Sequence, residues 1–420
     1  MKKYILAAIL LVFISATALQ AKKTRKLYKT DISSLYDENS FTGFEAEIYH
    51  SSDNKSTVYL NVNLHDFNYF RHVTNDTHLA KFKVHYELFE SYESKIPIDT
   101  GSLIFTDTLN YGLETEMIVD FDVNAKFPGD YILKITLYDL HRTEDNSVFR
   151  FFNISKSSTY TSQNFFVTDN DGYPVFGKHI GKDQYFKIQN NKLDTGQLLI
   201  RYYNRQLPIA KPPFATDKDF TFKFEADSIY TVTLSGGATE LLELPYNGIY
   251  HFQTDISQTE GLTLFHFDDG FPEIASPLQA IVPLRYLTTT KEYDQLLNYY
   301  DYKVAVDSFW LERASNQPER AKNMIARYYT RVQDANKIFS SYQEGWKTDR
   351  GIIYIIYGTP SEVYRKNDEE EWIYGERGNP MSIKFSFYKI ENPFTDNDYR
   401  LQRSTVFKTS WYIAVENWRR

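Results

Sequence analysis

Apolar and polar side chains alternate with a period of two between about residues 40 and 168. In the segment TVYLNVNLHDF, Leu60, Val62 and Leu64 face one way while their neighbours face the other, and AKFKVHYELFE and FPGDYILKITLYDL repeat the pattern. Strict alternation over several short strands, separated by turns with Gly, Pro and Asp, is typical of an antiparallel β-sandwich. We therefore predict a β-sandwich domain over residues 22–168.

A second segment, residues 169–275, carries the same kind of pattern in QLLIRYYN and IYTVTLSGG. The stretch NGIYHFQTDI at 247–256 parallels PGDYILKITL at 128–137, because in both a turn with Gly is followed by a Tyr that enters an alternating strand. This arrangement resembles the tyrosine corner of immunoglobulin-like domains. We therefore predict two tandem, antiparallel, immunoglobulin-like β-sandwiches.

The period changes after residue 285 to one that favours helices. Thr289 and Glu292 form a capping box at the start of a helical pattern that continues through QLLNYYDYKVAVDSFWLERA. Pro318 is suited to the first position of a second helix. Strand-like segments follow in GIIYIIYG, EEWIYG and SIKFSFYK. These elements predict a C-terminal α+β module over residues 285–420.

The stretch QEGWKTDRGIIYIIYGTPSEVYR, residues 343–365, joins the second helix to these strands. Gly345 is expected to end the helix in a left-handed conformation, with Trp346 folded back over the last turn. Thr348 and Asp349 have short side chains that bond nearby backbone N–H groups. We therefore predict an irregular connection stabilised by its own polar side chains.

The residues after this connection predict a strand, a tight turn and a helix start. Arg350 is expected to pair with Asp349 or with an acidic residue from 368–371. The run IIYIIY is apolar on both faces, which favours a central strand covered on both sides. In YGTPSE, residues 357–362, Thr359 is a good N-cap and Glu362 completes a capping box.

The residues with the most specific spacing are Gly345, Trp346, Thr348, Asp349, Arg350, Gly351, Tyr357, Gly358, Pro360, Glu371 and Trp372. This pattern resembles the signature of the GWxTD-domain family, over residues 285–420. The resemblance implies an exported bacterial protein, typical of Bacteroidota, in which β-domains often precede the signature. It implies no reaction and no catalytic residue. We therefore treat the signature positions as structural or binding candidates.

The N-terminus MKKYILAAILLVFISATALQA predicts a signal peptide over residues 1–21. Two lysines precede an apolar run and small residues follow it, and the run is too short for a membrane span. Cleavage fits after Ala18 or Ala21, and the lysines that follow favour the second. No later stretch reaches the ~20 apolar residues that a membrane-spanning helix needs. The sequence therefore predicts an exported protein, periplasmic or extracellular, without a membrane span.

Composition excludes several classes of function. The chain has no cysteine, which excludes thiolate nucleophiles and Cys-ligated metals. Its formal net charge is −8, and the predicted signal peptide contributes only positive charge, so nucleic acid is not expected as a partner. Tyr (34) and Phe (31) are abundant, which suits β-strands with a half-buried face.

The positions of the histidines exclude further chemistry from the C-terminal module. All nine lie between His50 and His266, so residues 280–420 can build neither a Ser-His-Asp or Cys-His system nor a His-ligated zinc site. Carboxylates remain: Asp349 and the cluster 368–371, which includes Glu371, offer an acid and a base. The favoured interpretation is that Asp349 is a turn and cap residue and that the cluster is a solvated hairpin tip.

Two alternatives involve ions. TDNDGYP and HFDDGFP contain Asp-Gly pairs, but Val167 and Phe265 stand where a loop of the EF-hand type needs an acidic residue, so turns explain both. Free N–H groups after Gly358 offer a place for an anion, but Glu362 would repel it and the capping box is the simpler explanation. We therefore predict no metal site and no cofactor.

These observations favour a non-catalytic protein of the cell envelope that binds another envelope protein or a surface polymer. In this hypothesis four aromatic residues lie partly in the core and partly in the contact surface, namely Trp346, Tyr354, Tyr357 and Trp372. The alternative is a carboxylate-dependent hydrolase that acts on an envelope glycan or peptide. Asp349 and Glu371 would then be its catalytic residues.

Overall fold

The computed structural model describes residues 3–4, 26–37, 43–71, 77–109, 115–144, 146–217 and 220–420. Within this part of the chain there are twenty β-strands, which form four sheets, and six α-helices, five of which lie between β16 and β17. The strands are β1 (Lys3–Tyr4), β2 (Phe44–Tyr49), β3 (Ser56–Asn63), β4 (Phe70–Arg71), β5 (His78–Phe89), β6 (Asp99–Thr108), β7 (Glu116–Val123), β8 (Asp130–Asp139), β9 (Ser147–Ser155), β10 (Phe165–Asp169), β11 (Phe186–Asn190), β12 (Gly196–Tyr203), β13 (Ser228–Ser235), β14 (Ala238–Thr239), β15 (Gly248–Gln253), β16 (Leu262–His266), β17 (Glu362–Arg365), β18 (Glu369–Tyr374), β19 (Ile383–Lys389) and β20 (Tyr399–Leu401).

All six helices lie in the last third of the chain. They are α1 (Pro277–Ile281), α2 (Thr290–Leu297), α3 (Tyr302–Arg313), α4 (Pro318–Phe339), α5 (Asp349–Tyr357) and α6 (Lys408–Arg419). None of these helices combines the length and the apolar character that crossing a membrane requires. The predicted signal peptide, residues 1–21, lies outside the described residues apart from β1.

The first β unit consists of two sheets around one apolar core. One sheet has the order β1-β7-β3-β2, and the other has the order β4-β5-β8-β9 with β6 paired to β5. Leu60 and Val62 from the first sheet and Phe82 and Leu133 from the second are fully buried in the same cluster. The period-two alternation that the sequence shows in β3, β5 and β8 is therefore confirmed: the apolar residues lie between the sheets.

The second β unit is one hydrogen-bonded path of seven strands, in the order β10-β11-β14-β13-β12-β15-β16. All its neighbours are antiparallel, but β14 has only two residues and is the sole link between β11 and β13 in that path. Phe186 and Ile188 on one side of this link and Leu198 and Phe252 on the other share a single core. The unit thus has two halves that are joined by a narrow bridge.

A tyrosine hydroxyl braces a strand in each β unit. Tyr131 at the start of β8 donates to the carbonyl of Lys126 at 2.8 Å, and Tyr250 in β15 donates to the carbonyl of Tyr246 at 2.8 Å. The two tyrosines occupy the corresponding positions of the repeated phrase in the sequence. The similarity between the two phrases therefore has a structural counterpart in both units.

The C-terminal module contains the antiparallel sheet β17-β18-β19-β20, and one apolar core joins this sheet to the helices. The capping box of Thr289 and Glu292 is present at the start of α2, and Pro318 begins α4. The helix predicted to run on from α2 is, however, split into α2 and α3. Asp301 accepts hydrogen bonds from the N–H groups of Lys303 and Val304 and so starts a new helix.

The run IIYIIY, predicted as a central strand, is instead the body of helix α5. Every residue from Ile352 to Ile356 is buried. A helix that is covered on all sides has no polar face, so it lacks the 3.6-residue period and resembles a buried strand. The strand prediction is therefore wrong, because complete burial removes the signal that separates the two structures.

Two further local predictions are wrong. Helix α4 ends at Phe339, and Gly345 starts a short 3₁₀ turn, so Gly345 is not a left-handed helix cap. The turn after Gly358 leads into strand β17, and Glu362 lies in that strand and completes no capping box. The N–H group of Ser361 donates to the carbonyl of Ile373, so pairing with β18 decides the structure and leaves no helix start for an anion.

The segment 26–37, which precedes β2, is bound to the C-terminal module. The N–H of Ile32 donates to Val363 O at 2.9 Å, and the N–H of Val363 donates to the carboxylate of Asp31 at 2.9 Å. Ile32 and Tyr36 are buried in the core of the module. We call this segment the N-terminal arm; no sequence pattern predicted its position.

A long loop after β12 connects the second β unit to the module. The N–H of Ala210 donates to Lys347 O at 2.8 Å, and the N–H of Ser404 donates to Pro213 O at 3.0 Å. Aromatic residues of both parts form one small core, which includes Tyr203, Phe222 and Phe394. The three parts of the chain are therefore joined by specific contacts.

Three histidines make stability depend on pH. Burial lowers the pKa of His50, His179 and His251 to about 4. The unfolded chain, with a histidine pKa near ~6.5, binds more protons than the folded chain between these values, so stability falls as pH decreases from about 6.5 to about 4. Asp398 acts in the opposite sense, because burial raises its pKa to about 6. For these four groups together, the folded and unfolded chains differ near pH 5 by about two bound protons, or about 3 kcal/mol per pH unit.

Urea unfolding at several pH values between 5 and 7 checks this expectation. His251→Gln is the matched variant, since an amide can keep the hydrogen bond to Thr263 that the imidazole makes at 2.8 Å. The variant lacks one titrating group, so its free energy of unfolding should depend less steeply on pH, by the contribution of one bound proton. A slope that is the same in both proteins would contradict the assignment.

Candidate functional site

The signature begins with a turn that lies directly on helix α4. The N–H of Gly345 donates to the hydroxyl of Ser340 at 2.8 Å, and the N–H of Trp346 donates to the side-chain oxygen of Asn336 at 3.2 Å. A Cβ atom at position 345 would overlap the backbone carbonyl of Ala335. Glycine is therefore required here for close approach of two backbones and not for an unusual φ angle.

Trp346 is part of the core. Its backbone carbonyl accepts a hydrogen bond from the hydroxyl of Tyr286 at 3.1 Å, and the two rings meet edge to face at 6.2 Å. Trp372 and Tyr354 are fully buried, and Tyr357 is half-buried against Trp411. The hypothesis that these aromatic residues form part of a contact surface is thus wrong for the three that are buried.

Thr348 is the N-cap of helix α5. Its hydroxyl donates to Gly345 O at 2.8 Å and accepts from the N–H of Gly351 at 3.1 Å, so one side chain closes the turn and starts the helix. A Cβ atom at position 351 would overlap the carbonyl oxygen of Gly345. The two glycines and the threonine of the signature therefore form one compact unit.

Asp349 joins helix α5 to the far edge of the sheet. Its carboxylate accepts a hydrogen bond from the N–H of Leu401 in β20 at 2.8 Å and forms an ion pair with Arg403. Asp349 is 8% exposed. Of the two partners predicted for Arg350, the structure shows the second, because Arg350 pairs with Glu370 of the run 368–371 and not with Asp349. Asp349 is therefore a buried link between α5 and β20.

Glu370 is the centre of a buried polar cluster. Its side chain is fully buried and accepts hydrogen bonds from Arg365 at 2.8 Å, Tyr36 at 2.7 Å and Trp372 at 2.6 Å. Arg350 lies 3.5 Å from the same carboxylate. Burial pushes the pKa of Glu370 upward, but Arg365 and Arg350 outweigh burial and hold the pKa below its usual value.

The acidic run 368–371 is therefore not the solvated hairpin tip that the sequence predicts. Glu370 points inward with Trp372, whereas Glu371 points outward and forms an ion pair with Lys384 at 2.8 Å. Strand geometry explains the difference, because successive side chains of β18 face opposite sides of the sheet. Only Asp368 of the run is exposed.

The last signature residues form the turn between α5 and β17. Gly358 has a left-handed φ of 84°, and its carbonyl accepts a hydrogen bond from the hydroxyl of Tyr374 at 2.8 Å. Pro360 is buried beside it. Thr359, which is not an N-cap, donates to the carbonyl of Tyr36 at 3.0 Å. The turn thus forms a hydrogen bond with the N-terminal arm.

Residues 248–420 match the family model of the GWxTD domain. The chain carries a GWxTD domain. The matched region begins at β15, earlier than the boundary at 285 that the sequence suggests, and so includes His251 and His266. Both histidines are buried: His251 bonds to Thr263 at 2.8 Å, and His266 bonds to Leu244 O at 2.7 Å. None of these hydrogen bonds places either histidine beside Asp349.

Comparison with other proteins adds no activity to the GWxTD domain. No curated protein matches the chain. Among solved structures, red sea bream transglutaminase matches with 9% identity and a TM-score of 0.19, over 54% of this chain and 31% of the transglutaminase chain. A likeness at that TM-score supports no statement about fold or function.

Two grooves lie outside the signature. The first has a volume of about 940 Å³ and is lined by residues that include Phe214, Arg285, Trp411 and Arg419. The second, of about 520 Å³, lies between the first β unit and the GWxTD domain and includes Asp130 and Asp368. Asp349 and Glu371 line neither groove. In the described residues no group of three or more His, Asp and Glu side chains is placed to hold a metal ion.

The structure brings most signature residues into one interior site and leaves Glu371 outside it. Sequence reasoning named Glu370 only as a member of the run 368–371, and it missed the other partners that complete this site, namely Tyr36, Asn336, Arg365 and Arg403. The alternation of β18 could have revealed Glu370, because it shares a face with Trp372. The sequence carries no comparable signal for Tyr36, which reaches the site from more than three hundred residues away.

Substitution of Asp349 tests the link to β20. Asp349→Asn and Asp349→Ala should each lower the free energy of unfolding by about 3–5 kcal/mol, because both remove the charge that faces the buried Arg403. Urea unfolding measures this loss. The control is Glu371→Gln, which affects a partly exposed pair with Lys384 and should cost less than about 1 kcal/mol. Full stability in Asp349→Asn would show that only a hydrogen-bond acceptor is needed.

Substitution in the Glu370 cluster tests how the N-terminal arm is held. Glu370→Gln should cost about 3–5 kcal/mol, since it leaves the buried Arg350 and the partly buried Arg365 without their anion. Tyr36→Phe removes the hydroxyl that donates to Glu370 and accepts from Arg365, and each hydrogen bond to a charged group is worth about 1.5–3 kcal/mol. This substitution should also speed proteolytic cleavage within residues 26–37. Tyr300→Phe, at a side chain that is 88% exposed, is the control and should change neither quantity.

Proposed function

We propose that the protein is a non-catalytic binding or scaffold protein of the bacterial cell envelope. The observation that supports this most is the use of two charged side chains of the signature, those of Asp349 and Arg350, inside the fold. Asp349 is engaged by Leu401 and Arg403, and the neighbouring arginine, Arg350, is engaged by Glu370 and Asn397. A group that holds the core together is not available to take a substrate.

The hydrolase alternative receives less support from the geometry. An acid and a base must both reach one open cleft. Asp349 is buried in the first turn of α5, whereas Glu371 points outward on β18 beside Lys384. These two residues therefore have different surroundings, and neither lines either of the two grooves described above. We therefore assign no catalytic residue.

Export to the periplasm or the cell exterior is part of the proposal. Its support is the sequence of residues 1–21 and the resemblance to a family of exported proteins. The partner would be an envelope protein or a surface polymer. The β units would present the partner-binding surface, and the GWxTD domain would hold the chain's two ends together through the N-terminal arm.

We also propose that both β units are immunoglobulin-like sandwiches. In the first unit, two sheets enclose one core, and Tyr131 forms the hydrogen bond expected of a tyrosine corner. In the second unit, the bridge through β14 is so narrow that the strands on its two sides act as separate sheets around one core. Tyr250 makes the corresponding hydrogen bond there.

Co-sedimentation with envelope fractions of the producing bacterium tests the proposed function. The purified full chain should bind these fractions saturably and release no soluble sugar ends or peptides. Glu371→Gln should bind as the natural chain does. Product release that disappears in Glu371→Gln would establish the hydrolase, and the absence of any saturable binding would overturn the scaffold proposal.

A further inference from the structure

Strand β13 has an edge that is open for most of its length. On one side, Ser228 to Leu234 pair with β12 without interruption. On the other side, only Leu234 and Ser235 pair with β14. Within the described residues, no strand pairs with the outer edge of β13 from Ser228 to Thr233. Antiparallel pairing on one side leaves every second backbone N–H and C=O group on the other side without a strand partner.

The open edge arises because the β13–β14 hairpin splays apart. After two residue pairs, the returning segment leaves β13 and bridges to β11, where Leu242 pairs with Phe186. β13 itself stays with β12. The two arms of the hairpin therefore belong to different halves of the second β unit, and the space between them is bordered by the backbone of β13.

This edge has none of the features by which proteins usually protect an exposed strand. Ser228–Ser235 reads SIYTVTLS, with no charge, proline or glycine, and Ile229 and Tyr230 are 53% and 41% exposed. Within the described residues β2 and β6 also pair with one strand only, but they carry acidic side chains that are not buried, such as Glu45 and Asp99. An uncharged edge with high β-propensity favours pairing with another extended chain.

The charge beside the edge indicates which kind of chain would fit. Glu240 and Glu243 lie in the segment that leaves β13, and both are exposed. Glu240 directly follows Thr239, which is the last residue of that segment paired with β13. A strand placed along β13 would therefore run next to two carboxylates, which favour basic side chains in that strand.

We propose that the β13 edge, Ser228–Thr233, binds an extended segment of a partner protein by strand addition. The segment supplies backbone hydrogen bonds to β13, uncharged side chains opposite Ile229 and Tyr230, and basic side chains toward Glu240 and Glu243. This inference rests on the proposed binding function and deepens it, because it selects a protein over a polymer. Backbone pairing of this kind requires a polypeptide.

A photo-crosslinking side chain, p-benzoylphenylalanine, tests the proposal in the full chain within the producing bacterium. It replaces Thr231 on β13 or, as the matched control, Thr106 on β6; both positions are exposed on strands that pair on one side. Position 231 should give an adduct with another protein that position 106 does not give. No adduct, the same adduct at both positions, or an adduct of two copies of this chain would overturn the proposal.

Mass spectrometry of the adduct identifies the crosslinked segment, and a synthetic peptide of that sequence is then added to the purified full chain. Hydrogen exchange of the amides in 228–233 should slow at least tenfold, while exchange in β6 should not change.

Glu240→Lys with Glu243→Lys should weaken peptide binding at least tenfold, whereas Glu376→Lys with Glu391→Lys, both exposed, should not. Unchanged exchange in 228–233 would overturn strand addition. Saturable binding to envelope fractions would still stand in that case, so failure of this inference and failure of the proposed function are distinguishable.

Discussion

The carboxylate of Glu370 is fully buried, and the GWxTD domain is arranged so that donors from four residues surround it. A buried charge without partners is strongly destabilising, so each of these donors has to be in place when the domain folds. Arg350 comes from α5, Arg365 from β17 and Tyr36 from the N-terminal arm. The requirement of one carboxylate therefore holds together the helices, the sheet and a segment from the other end of the chain.

The signature motif also helps to hold the helices and the sheet of the domain together. Two glycines allow backbones to approach where any Cβ atom would overlap, Thr348 starts α5, and Asp349 ties that helix to β20. These are conditions for packing. They explain why a motif with such specific spacing need not contain a reaction centre, and they direct the search for function to surfaces away from it, such as the open edge of β13.

Prediction from sequence succeeded where a local pattern has one physical meaning. Alternation in β3, β5 and β8 marks strands with one buried face, and Thr289 with Glu292 marks a helix start. It failed where burial is complete or where pairing partners are distant. The run IIYIIY is a helix without the 3.6-residue pattern of apolar and polar positions. The turn at Gly358 leads into a strand because the backbone after it forms hydrogen bonds with β18. Glu370 and Glu371 are adjacent in sequence but have opposite environments, which only the face of β18 distinguishes.

The sequence by itself determined the β-rich character of the first two units, the helical start of the last unit and the presence of the GWxTD signature, because each depends on residues close together in the chain. Tertiary structure alone decided that Arg403, and not Arg350, pairs with Asp349, that Tyr36 reaches Glu370, and that β13 keeps an open edge. These outcomes depend on which distant segments share a core. Local patterns carry no information about that choice, since it is made by the burial of apolar surface and the need to satisfy every buried charge.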